Sequence, residues 1–410
     1  MQILYLTHRL PYPPDKGERI RPFHQLRYLT ARHEVDLFCF ADSQASAENQ
    51  RFLREMCRSV HVEVLRKPMR LLHAAGNFFT GQPMSFGFFC SRKFDKNIRQ
   101  ALDRCDYDVM FVSCSSMGQY VPQPAPAPVV VDFVDADSQK FRQYAEGSGL
   151  FRRWLYTREA RTVAVAEQSL GHRAALSVAI TEHDARELGG GSLTGFPVEV
   201  VANGVHVPDG PDMQVQSELR GLKPFALFLG TMNYPPNSDA AVYFARDILP
   251  LVRKTEPDLK FVIAGRDPDR QVRELATIPG VLIVGAVSDP FRYFRNADVT
   301  VAPFRISQGF HNKIAESLAV GTPVISTSRA MAGVGLSECE GLFVADTPEE
   351  FAVKVSRVLK DPCLGSGLRE RASSVQQRLS WDRHLCRLEQ LIVQVAVKSA
   401  LPSRELVVEH

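Results

Sequence analysis

The segment from Ala302 to Pro323 carries the residues best suited to chemistry. It reads as a strand, a loop containing Gly309, a helix, a glycine stop and a second strand. The first turn of a helix presents free backbone N–H groups that favour an anion, and Lys313 adds a cation there. Glu316 lies three residues further along the same helix face and can accept hydrogen bonds from adjacent ribose hydroxyls. The spacing favours a nucleoside diphosphate site over the alternative, an ordinary surface ion pair.

The start of this helix is the second feature of the segment. Asn312 is a good capping residue, so we expect the helix to begin there. His311 lies in the preceding loop, and donor contact or a purely structural role are equally compatible with its position.

Acidic residues follow a strand in the first half of the chain. Asp135-Ala-Asp137 matches a short acidic string with which some enzymes hold a divalent cation on a diphosphate. Such strings are frequent by chance, and this one is far in sequence from the helix of Lys313, so we predict no metal site. Its place after a strand suggests that Asp132 or Asp135 lies near a cleft, where a carboxylate can bind sugar hydroxyls.

The elements that must position these residues alternate regularly. Runs that are apolar on both faces are separated by helix-length segments, which is typical of parallel sheets covered by helices. The predicted strands are 3–6, 34–40, 60–65, 109–112, 129–133, 177–180 and 198–201, then 225–229, 260–264, 281–284, 299–303, 323–327 and 342–344. The main predicted helices are 20–32, 47–58, 94–104, 151–171, 239–251, 270–276, 312–320 and 348–359. The fold class is therefore α/β, with two doubly wound Rossmann-like domains facing across a cleft.

The restart of the pattern sets the domain boundaries. We predict a first domain over 1–205 and a second over 206–380, joined by a turn-rich linker and hinge around 203–212. A terminal helix over 381–396 should pack back on the first domain, and 397–410 reads as a polar tail. Ligands of such sheets bind at the carboxyl ends of the strands.

Composition excludes several classes of protein. The chain has 410 residues, 45% of them hydrophobic and 23% charged, so two cores can be buried and disorder is not expected. No apolar run is long enough for a membrane helix, and the start lacks the pattern of a signal peptide. A net charge of +3 does not indicate nucleic acid. The eight cysteines are scattered, which predicts reduced thiols and a cytoplasmic location.

Ordered motifs resemble those of one enzyme family. They are Leu10-Pro-Tyr-Pro-Pro-Asp-Lys-Gly-Glu-Arg, Val131-Asp-Phe-Val-Asp-Ala-Asp-Ser, Asn203-Gly-Val, Leu229-Gly-Thr-Met-Asn-Tyr-Pro-Pro-Asn, Ala264-Gly-Arg-Asp-Pro, Val287-Ser-Asp-Pro, and Asn312-Lys-x-x-Glu with Ala319-Val-Gly-Thr-Pro-Val. In this order they resemble glycosyltransferase family 4, of the two-Rossmann-domain GT-B type. The resemblance is strongest to bacterial sugar transferases of exosortase (PEP-CTERM) exopolysaccharide loci, and it spans nearly the whole chain.

The resemblance implies roles for individual residues. It implies a retaining transfer from a nucleotide-diphosphate sugar, a UDP- or GDP-sugar, with no bound cofactor and no metal. Lys313, Glu316, Asp135 and Arg266 would act in catalysis. The donor would contact Gly17, Gly230, Thr231, Asn233, Val287, Gln308, Gly309, Phe310, His311 and Asn312. Among these, Glu316 would bind the ribose and Val287 would lie near the base.

Two positions depart from the family pattern. Gln308 stands where the family has the earlier of two glutamates, which typically contacts the donor sugar. Many relatives carry a basic pair after the first strand of the second domain, where this chain has Met232, Asn233 and Asn237. A donor-binding subunit with impaired catalysis is therefore an alternative to an active transferase. Epimerisation or phosphorolysis of a sugar is a further one, although no residue marks a phosphorylase cofactor lysine.

Basic and aromatic residues mix in two stretches of the first domain, 66–79 and 151–161. Such stretches either lie on anionic lipid or form a solvated helix with a buried aromatic edge. The first alternative predicts a peripheral protein on the cytoplasmic face of the inner membrane. The acceptor would then be a lipid-linked sugar or another glycan.

Overall fold

The structure is a computed structural model of the chain. It describes residues 1–15, 17–41, 47–190, 195–208, 219, 221–306, 310–331 and 341–400. Within this described part, no helix is both long and apolar enough to cross a bilayer. The chain divides into two compact units, Met1–Val201 with the segment from Leu385 onward, and Ala202–His384. Residues 209–212 of the predicted linker lie outside the described residues.

The first unit is built on a sheet of seven parallel strands. Their order is β3-β2-β1-β4-β5-β6-β7. The strands are β1 (Gln2–Thr7), β2 (Glu34–Ala41), β3 (Ser59–Val64), β4 (Val109–Ser113), β5 (Val129–Val134), β6 (Leu176–Ala179) and β7 (Glu199–Val200). The helices are α1 (Gly17–Thr30), α2 (Ala47–Met56), α3 (Lys67–Phe79), α4 (Met84–Gly87), α5 (Arg92–Arg104), α6 (Asp137–Glu146), α7 (Leu150–Arg173) and α8 (Glu182–Gly189), with a 3-10 helix at Ser115–Tyr120.

The second unit repeats this plan with six parallel strands. Their order is β10-β9-β8-β11-β12-β13. The strands are β8 (Phe225–Leu229), β9 (Lys260–Ala264), β10 (Val281–Gly285), β11 (Val299–Ala302), β12 (Val324–Ser326) and β13 (Leu342–Val344). The helices are α9 (Pro235–Tyr243), α10 (Leu249–Val252), α11 (Arg270–Glu274), α12 (Pro290–Asn296), α13 (Asn312–Ala319), α14 (Ser328–Met331), α15 (Pro348–Lys360) and α16 (Pro362–Arg378), with a π-helical turn at Phe244–Ile248 and a 3-10 turn at Leu275–Thr277. The terminal helix, α17 (Trp381–Ala400), runs four residues into the predicted polar tail; 401–410 lie outside the described residues.

Apolar runs produce the two sheets because their strands are covered on both faces. Every residue of β4 and β11 is buried, as are the first four of β8. In both sheets the strand order reverses beside the first strand, between β1 and β4 and between β8 and β11. A doubly wound sheet opens a crevice at the carboxyl ends of the strands at such a point.

The region predicted as one helix over 239–251 is three consecutive pieces. Helix α9 passes into the π-helical turn before α10 begins. Pro250 has no N–H to continue the α-helical hydrogen bonding, which explains a wider turn just before it.

The terminal helix makes its side-chain bonds to the first unit. The Tyr28 hydroxyl donates to the Glu389 carboxylate at 3.1 Å, and an Arg387 nitrogen lies 3.4 Å from the Glu199 carboxylate. At the start of the second unit, the backbone N–H of Val205 donates to the Leu379 carbonyl at 2.6 Å.

A buried ion pair ties three elements of the first unit together. The Arg21 Nε on α1 lies 2.6 Å from the Asp132 carboxylate on β5, and both side chains are at most 1% exposed. Arg21 also donates to the Val201 carbonyl at 2.9 Å. The amide of Gln25 donates to the same carboxylate, and the Tyr5 hydroxyl donates to Gln25 at 2.7 Å. Asp132 is thus a structural acceptor rather than an exposed ligand.

We expect Arg21→Met to lower the free energy of unfolding by about 3–5 kcal/mol, because it leaves the Asp132 carboxylate buried without its cation. Urea denaturation followed by circular dichroism measures this. Arg51→Met is the matched control: the Arg51 side chain is 82% exposed and pairs with Glu55 on the surface, so the change should stay within about 0.5 kcal/mol. Equal losses in the two variants would contradict the structural role of the pair.

Candidate functional site

The candidate site lies where the order of the second sheet reverses. Strand β8 ends at Leu229, so Gly230 follows directly, and β11 ends at Ala302. Helix α13 begins ten residues later at Asn312 and runs towards β12. Because β8 and β11 are parallel neighbours, their carboxyl ends emerge side by side next to the helix that carries Lys313 and Glu316.

Lys313 is a buried cation. Its side chain is only 9% exposed, and its Nζ donates to the Asn237 Oδ1 of α9 at 2.8 Å. The ammonium also lies over the rings of Phe228 and Phe304, 4.4 and 4.5 Å from their centres. Cation–π attraction replaces part of the lost hydration, but no full negative charge is in direct contact with the nitrogen within the described part of the chain.

Two glycines allow the backbone to approach this lysine. A Cβ at Gly230 would lie 3.1 Å from the Lys313 Nζ and 2.8 Å from the Asn237 Nδ2. Gly265, which follows β9, has a φ of +150°, and a Cβ there would overlap the Gly230 carbonyl oxygen at 1.6 Å. The ends of β8 and β9 therefore pack so closely that only glycine fits at position 265, whereas a Cβ at position 230 would crowd the side chains of Asn237 and Lys313.

Burial shifts the pKa values of both predicted catalytic residues on α13. Desolvation lowers the pKa of Lys313 to about 7, with the Glu316 carboxylate partly opposing this shift. Desolvation raises the pKa of Glu316 to about 7, opposed by Lys313. The site therefore holds two groups whose charge changes near neutral pH, and a bound anion would favour the charged form of the lysine.

The loop before α13 holds a neutral histidine. The His311 ring stacks on Phe304 with 4.3 Å between ring centres, and burial lowers its pKa to about 3. His311 is also the residue at the cap position, so the prediction that Asn312 caps the helix is wrong; Asn312 is the first helical residue. The reason is that His311 still has extended backbone angles, with φ −92° and ψ 93°. The buried Asn312 Oδ1 has no hydrogen-bond partner among the described residues.

The remaining predicted residues of the second unit lie at different depths. The Thr231 carbonyl accepts from the Asn237 amide at 2.9 Å, which places it beside the lysine. The side chain of Asn233 is exposed, and Arg266 is half-buried, its carbonyl accepting from the Met232 N–H at 2.9 Å.

Val287 and Phe310 are both partly buried and pack against the core of the second unit. Gln308 and Gly309, to which we assigned donor contacts, lie outside the described residues. The roles assigned to all these residues stay predictions.

Two predicted residues belong to the first unit. Gly17 is the first residue of α1, with open space where a Cβ would be. Asp135 follows β5, after Val134, whose φ of 68° is unusual for a β-branched residue. The backbone of Asp135 donates to the Phe133 carbonyl at 2.9 Å, which closes a tight turn there.

Acidic neighbours surround Asp135. Burial, together with the nearby carboxylates of Asp184 and Asp137, raises its pKa to about 7, while Lys140 opposes the shift. Asp184 itself is held by the Thr181 hydroxyl at 2.5 Å and by the Ala136 N–H at 3.1 Å. Among the described residues, no group of three or more His, Cys, Asp or Glu side chains has the arrangement needed to hold a metal ion.

Sequence reasoning missed the partner of Lys313. Asn237 was noted only as a departure from a basic pair, yet its amide group bridges Lys313 and the Thr231 carbonyl. Asn237 is 76 residues from Lys313 and 6 residues from Thr231 in sequence. Only the fold, which places α9 beside the start of α13, brings Asn237 and Lys313 together. The requirement for glycine at 265 was equally invisible, because it depends on the neighbouring strand.

Part of the second unit matches a described family of proteins. Residues 223–361 match the family model described as Glycosyl transferases group 1. The phosphatidyl-myo-inositol mannosyltransferase of Propionibacterium freudenreichii is 33% identical over 147 residues, which cover 35% of this chain and 36% of the relative. The chain thus matches about a third of the length of that relative.

Solved structures share the fold over nearly the whole chain. HepE from Anabaena, solved with UDP, has a TM-score of 0.66 and 15% identity, covering 96% of this chain and all of HepE. Sucrose-phosphate synthase from Thermosynechococcus elongatus has a TM-score of 0.69 and 15% identity, covering 97% of this chain and all of its own. The predicted fold class is confirmed: two parallel-sheet α/β domains of the GT-B type.

We expect nucleotide-sugar affinity to depend on the protonation of Lys313. With a pKa of about 7, the lysine loses its charge above neutral pH, so affinity should fall by up to about tenfold per pH unit between pH 7 and 9. Glu316 becomes ionised over the same range, which improves its acceptance from ribose hydroxyls. Calorimetric titration should therefore show the decline in the wild type and a flat or rising affinity in Lys313→Met. A decline of the same slope in both proteins would contradict the assignment.

Asn237→Ala should weaken nucleotide-sugar binding by about tenfold, because it removes the acceptor that positions the Lys313 ammonium. Asn233→Ala is the comparison, since that side chain is exposed and its predicted donor contact is independent of Lys313. Binding constants for both variants would rank the two asparagines. Unchanged binding in Asn237→Ala would show that Lys313 is held by other groups.

Proposed function

We propose that this protein is a glycosyltransferase that moves a sugar from a nucleoside diphosphate sugar to an acceptor. The observation that carries the proposal is the buried Lys313, held by Asn237 beside Gly230 at the reversal point of the second sheet, with Glu316 on the next turn. A cation, glycine backbone and a helix start match a diphosphate, and a carboxylate matches a ribose. The match of residues 223–361 to Glycosyl transferases group 1 supports the same function.

A uridine nucleotide is the donor that we favour. HepE has been solved with UDP and with UDP-glucose, and the fold likeness spans 96% of this chain. Within the site, the buried Asn312 Oδ1 without a partner among the described residues offers an acceptor for a sugar hydroxyl. Val287 is the proposed neighbour of the base, and Gln308 of the sugar.

The chemistry of the transfer requires a departing diphosphate to be stabilised. The bond from the anomeric carbon to the diphosphate oxygen breaks, and a bond from that carbon to an acceptor oxygen forms, with loss of the acceptor proton. We propose that the Lys313 ammonium and the N–H groups at the start of α13 hold the charge that develops on the leaving oxygen. Arg266, Gly17 and Asp135 stay predicted contributors, and we propose retention of the anomeric configuration.

For the acceptor we propose a lipid-linked sugar in exopolysaccharide synthesis. The likeness to a phosphatidyl-myo-inositol mannosyltransferase supports an acceptor of lipid character. The ordered motifs that resemble exosortase-associated transferases support the exopolysaccharide role.

A thermal-shift panel of UDP, GDP, ADP and their sugars tests the nucleotide site. A ligand at 100 times its dissociation constant should stabilise the fold by about 2.7 kcal/mol. We expect one nucleotide to shift the wild type, and Glu316→Ala to weaken that ligand by about tenfold or more, because it loses the hydrogen bonds from the ribose. Glu349→Ala, an exposed glutamate on α15, is the control and should bind like the wild type.

Donor turnover then separates a transferase from a donor-binding subunit with impaired catalysis. Release of free nucleoside diphosphate from the donor, increased by lipid extract, would support the transferase. If a nucleotide binds but no acceptor supports turnover of the donor, the result would favour the non-catalytic alternative, which Gln308 suggests. Absence of binding by every nucleotide would overturn the site assignment itself.

A further inference from the structure

Two helices of the first unit expose large apolar side chains that the core does not use. On α3, Leu71 and Leu72 are each 63% exposed and Phe79 is 85% exposed. On α7, Leu150 is 88% and Phe151 75% exposed. Trp154, also on α7, is 55% exposed, and we call these six residues the α3–α7 face. Single exposed apolar residues are ordinary, but six on two neighbouring helices are not.

Aromatic contacts join the two helices into one surface. The Phe78 ring lies 5.9 Å from the Trp154 ring and 5.3 Å from the Phe79 ring, and Phe151 lies 6.1 Å from Trp154. Arg158 on α7 donates to the Phe78 carbonyl at 2.6 Å and lies 4.5 Å from the centre of its ring. These contacts fix the end of α3 against the start of α7, so the exposed groups form one surface on a rigid base.

The exposed charges on the two segments that carry this face are of one sign. Segments 66–80 and 150–162 contain a single acidic residue, Glu159. Its side chain is buried and accepts from the backbone N–H groups of Met84 and Ser85 at 3.0 and 2.8 Å, so its charge is directed inwards. The exposed charged side chains of the two segments are all basic: Arg66, Lys67, Arg152, Arg153 and Arg161.

A shallow depression opens beside Trp154 on α7. Its volume is about 530 Å³, and it is lined by Leu150, Arg153, Trp154, Thr157, Arg158, Arg161 and Thr162. Three guanidinium groups and two hydroxyl groups in one concave area suit a phosphate-containing head group, since guanidinium forms charge-assisted bonds with phosphate oxygens.

We infer that the α3–α7 face docks the protein onto a bilayer containing anionic phospholipid. Exposed apolar side chains of this kind enter the head-group region, where tryptophan is favoured, and surrounding arginine and lysine attract anionic lipid. An apolar protein partner or a second copy of this chain would match the leucine and phenylalanine side chains, but it would not match the exposed arginine and lysine side chains beside them. A bilayer supplies both an apolar layer and negative phosphate.

The fluorescence of the full-length protein tests this docking directly. The chain has two tryptophans, and Trp381 is buried while Trp154 is exposed. Vesicles of phosphatidylcholine mixed with phosphatidylglycerol should shift the Trp154 emission to the blue, and brominated lipid should quench it. Vesicles of phosphatidylcholine alone should give a much weaker effect, and added salt should reduce the binding. Trp154→Phe should abolish the shift, since Trp381 stays in the core.

Vesicle sedimentation with surface variants provides the second readout. We expect the double variant Leu150→Ser with Phe151→Ser, and separately Arg152→Gln with Arg153→Gln, to lose about tenfold or more in partitioning to anionic vesicles. Val353→Ser is the matched control, because Val353 is 68% exposed but lies on α15 of the second unit. Circular dichroism should show all variants folded.

Three results would overturn the docking surface. The first is equal partitioning of all variants to anionic vesicles, and the second is an unchanged Trp154 emission when anionic vesicles are added. The third is self-association of the free protein that the double variant Leu150→Ser with Phe151→Ser abolishes. The proposal does not depend on the transferase activity, because vesicle binding is measured without a donor. The nucleotide thermal shift of the surface variants should equal that of the wild type, which separates a failure of docking from a failure of the nucleotide site.

Discussion

The burial of one ammonium group governs the second unit. Lys313 is almost fully withdrawn from water, yet its direct partners are a neutral amide, that of Asn237, and the faces of Phe228 and Phe304. Desolvation of a cation is costly unless an opposite charge compensates it, and the lowered pKa of the lysine is the consequence. A diphosphate anion beside Gly230 would supply the missing charge. The free protein therefore holds a cation whose charged form a bound anion would favour.

Close backbone approach is the second condition for this site. The absence of a side chain at position 230 leaves room for the Lys313 ammonium at the end of β8, and Gly265 lets the neighbouring strand end pack on the Gly230 carbonyl. The N–H groups of the two glycines donate to backbone carbonyls, that of Gly230 to Ala264 at 3.0 Å and that of Gly265 to Gly285 at 2.7 Å. The two glycines therefore serve the close packing of the strand ends beside Lys313.

The sequence predicts the repeated elements better than the contacts between them. All thirteen strands are confirmed within a few residues, because buried parallel strands are continuous apolar runs. Stretch 66–79, expected either to lie on anionic lipid or to form a solvated helix, is helix α3, and its apolar residues Leu71, Leu72 and Phe79 are exposed rather than part of the core. Lys313 and Glu316 were found from local spacing, whereas Asn237 and Gly265 depend on chain segments that only the fold brings near them.

The two units treat buried charge in opposite ways. In the first unit, Asp132 meets Arg21 at 2.6 Å and is further bonded by Gln25, so its charge is fully compensated inside the fold. In the second unit, the carboxylate that acts electrostatically on Lys313 is that of Glu316. Burial raises the pKa of Glu316 and so favours its neutral form. A compensated pair stabilises the fold and has little to offer a ligand. An uncompensated cation next to glycine backbone costs stability until an anion binds, and this asymmetry is the physical basis on which we propose the nucleotide site in the second unit.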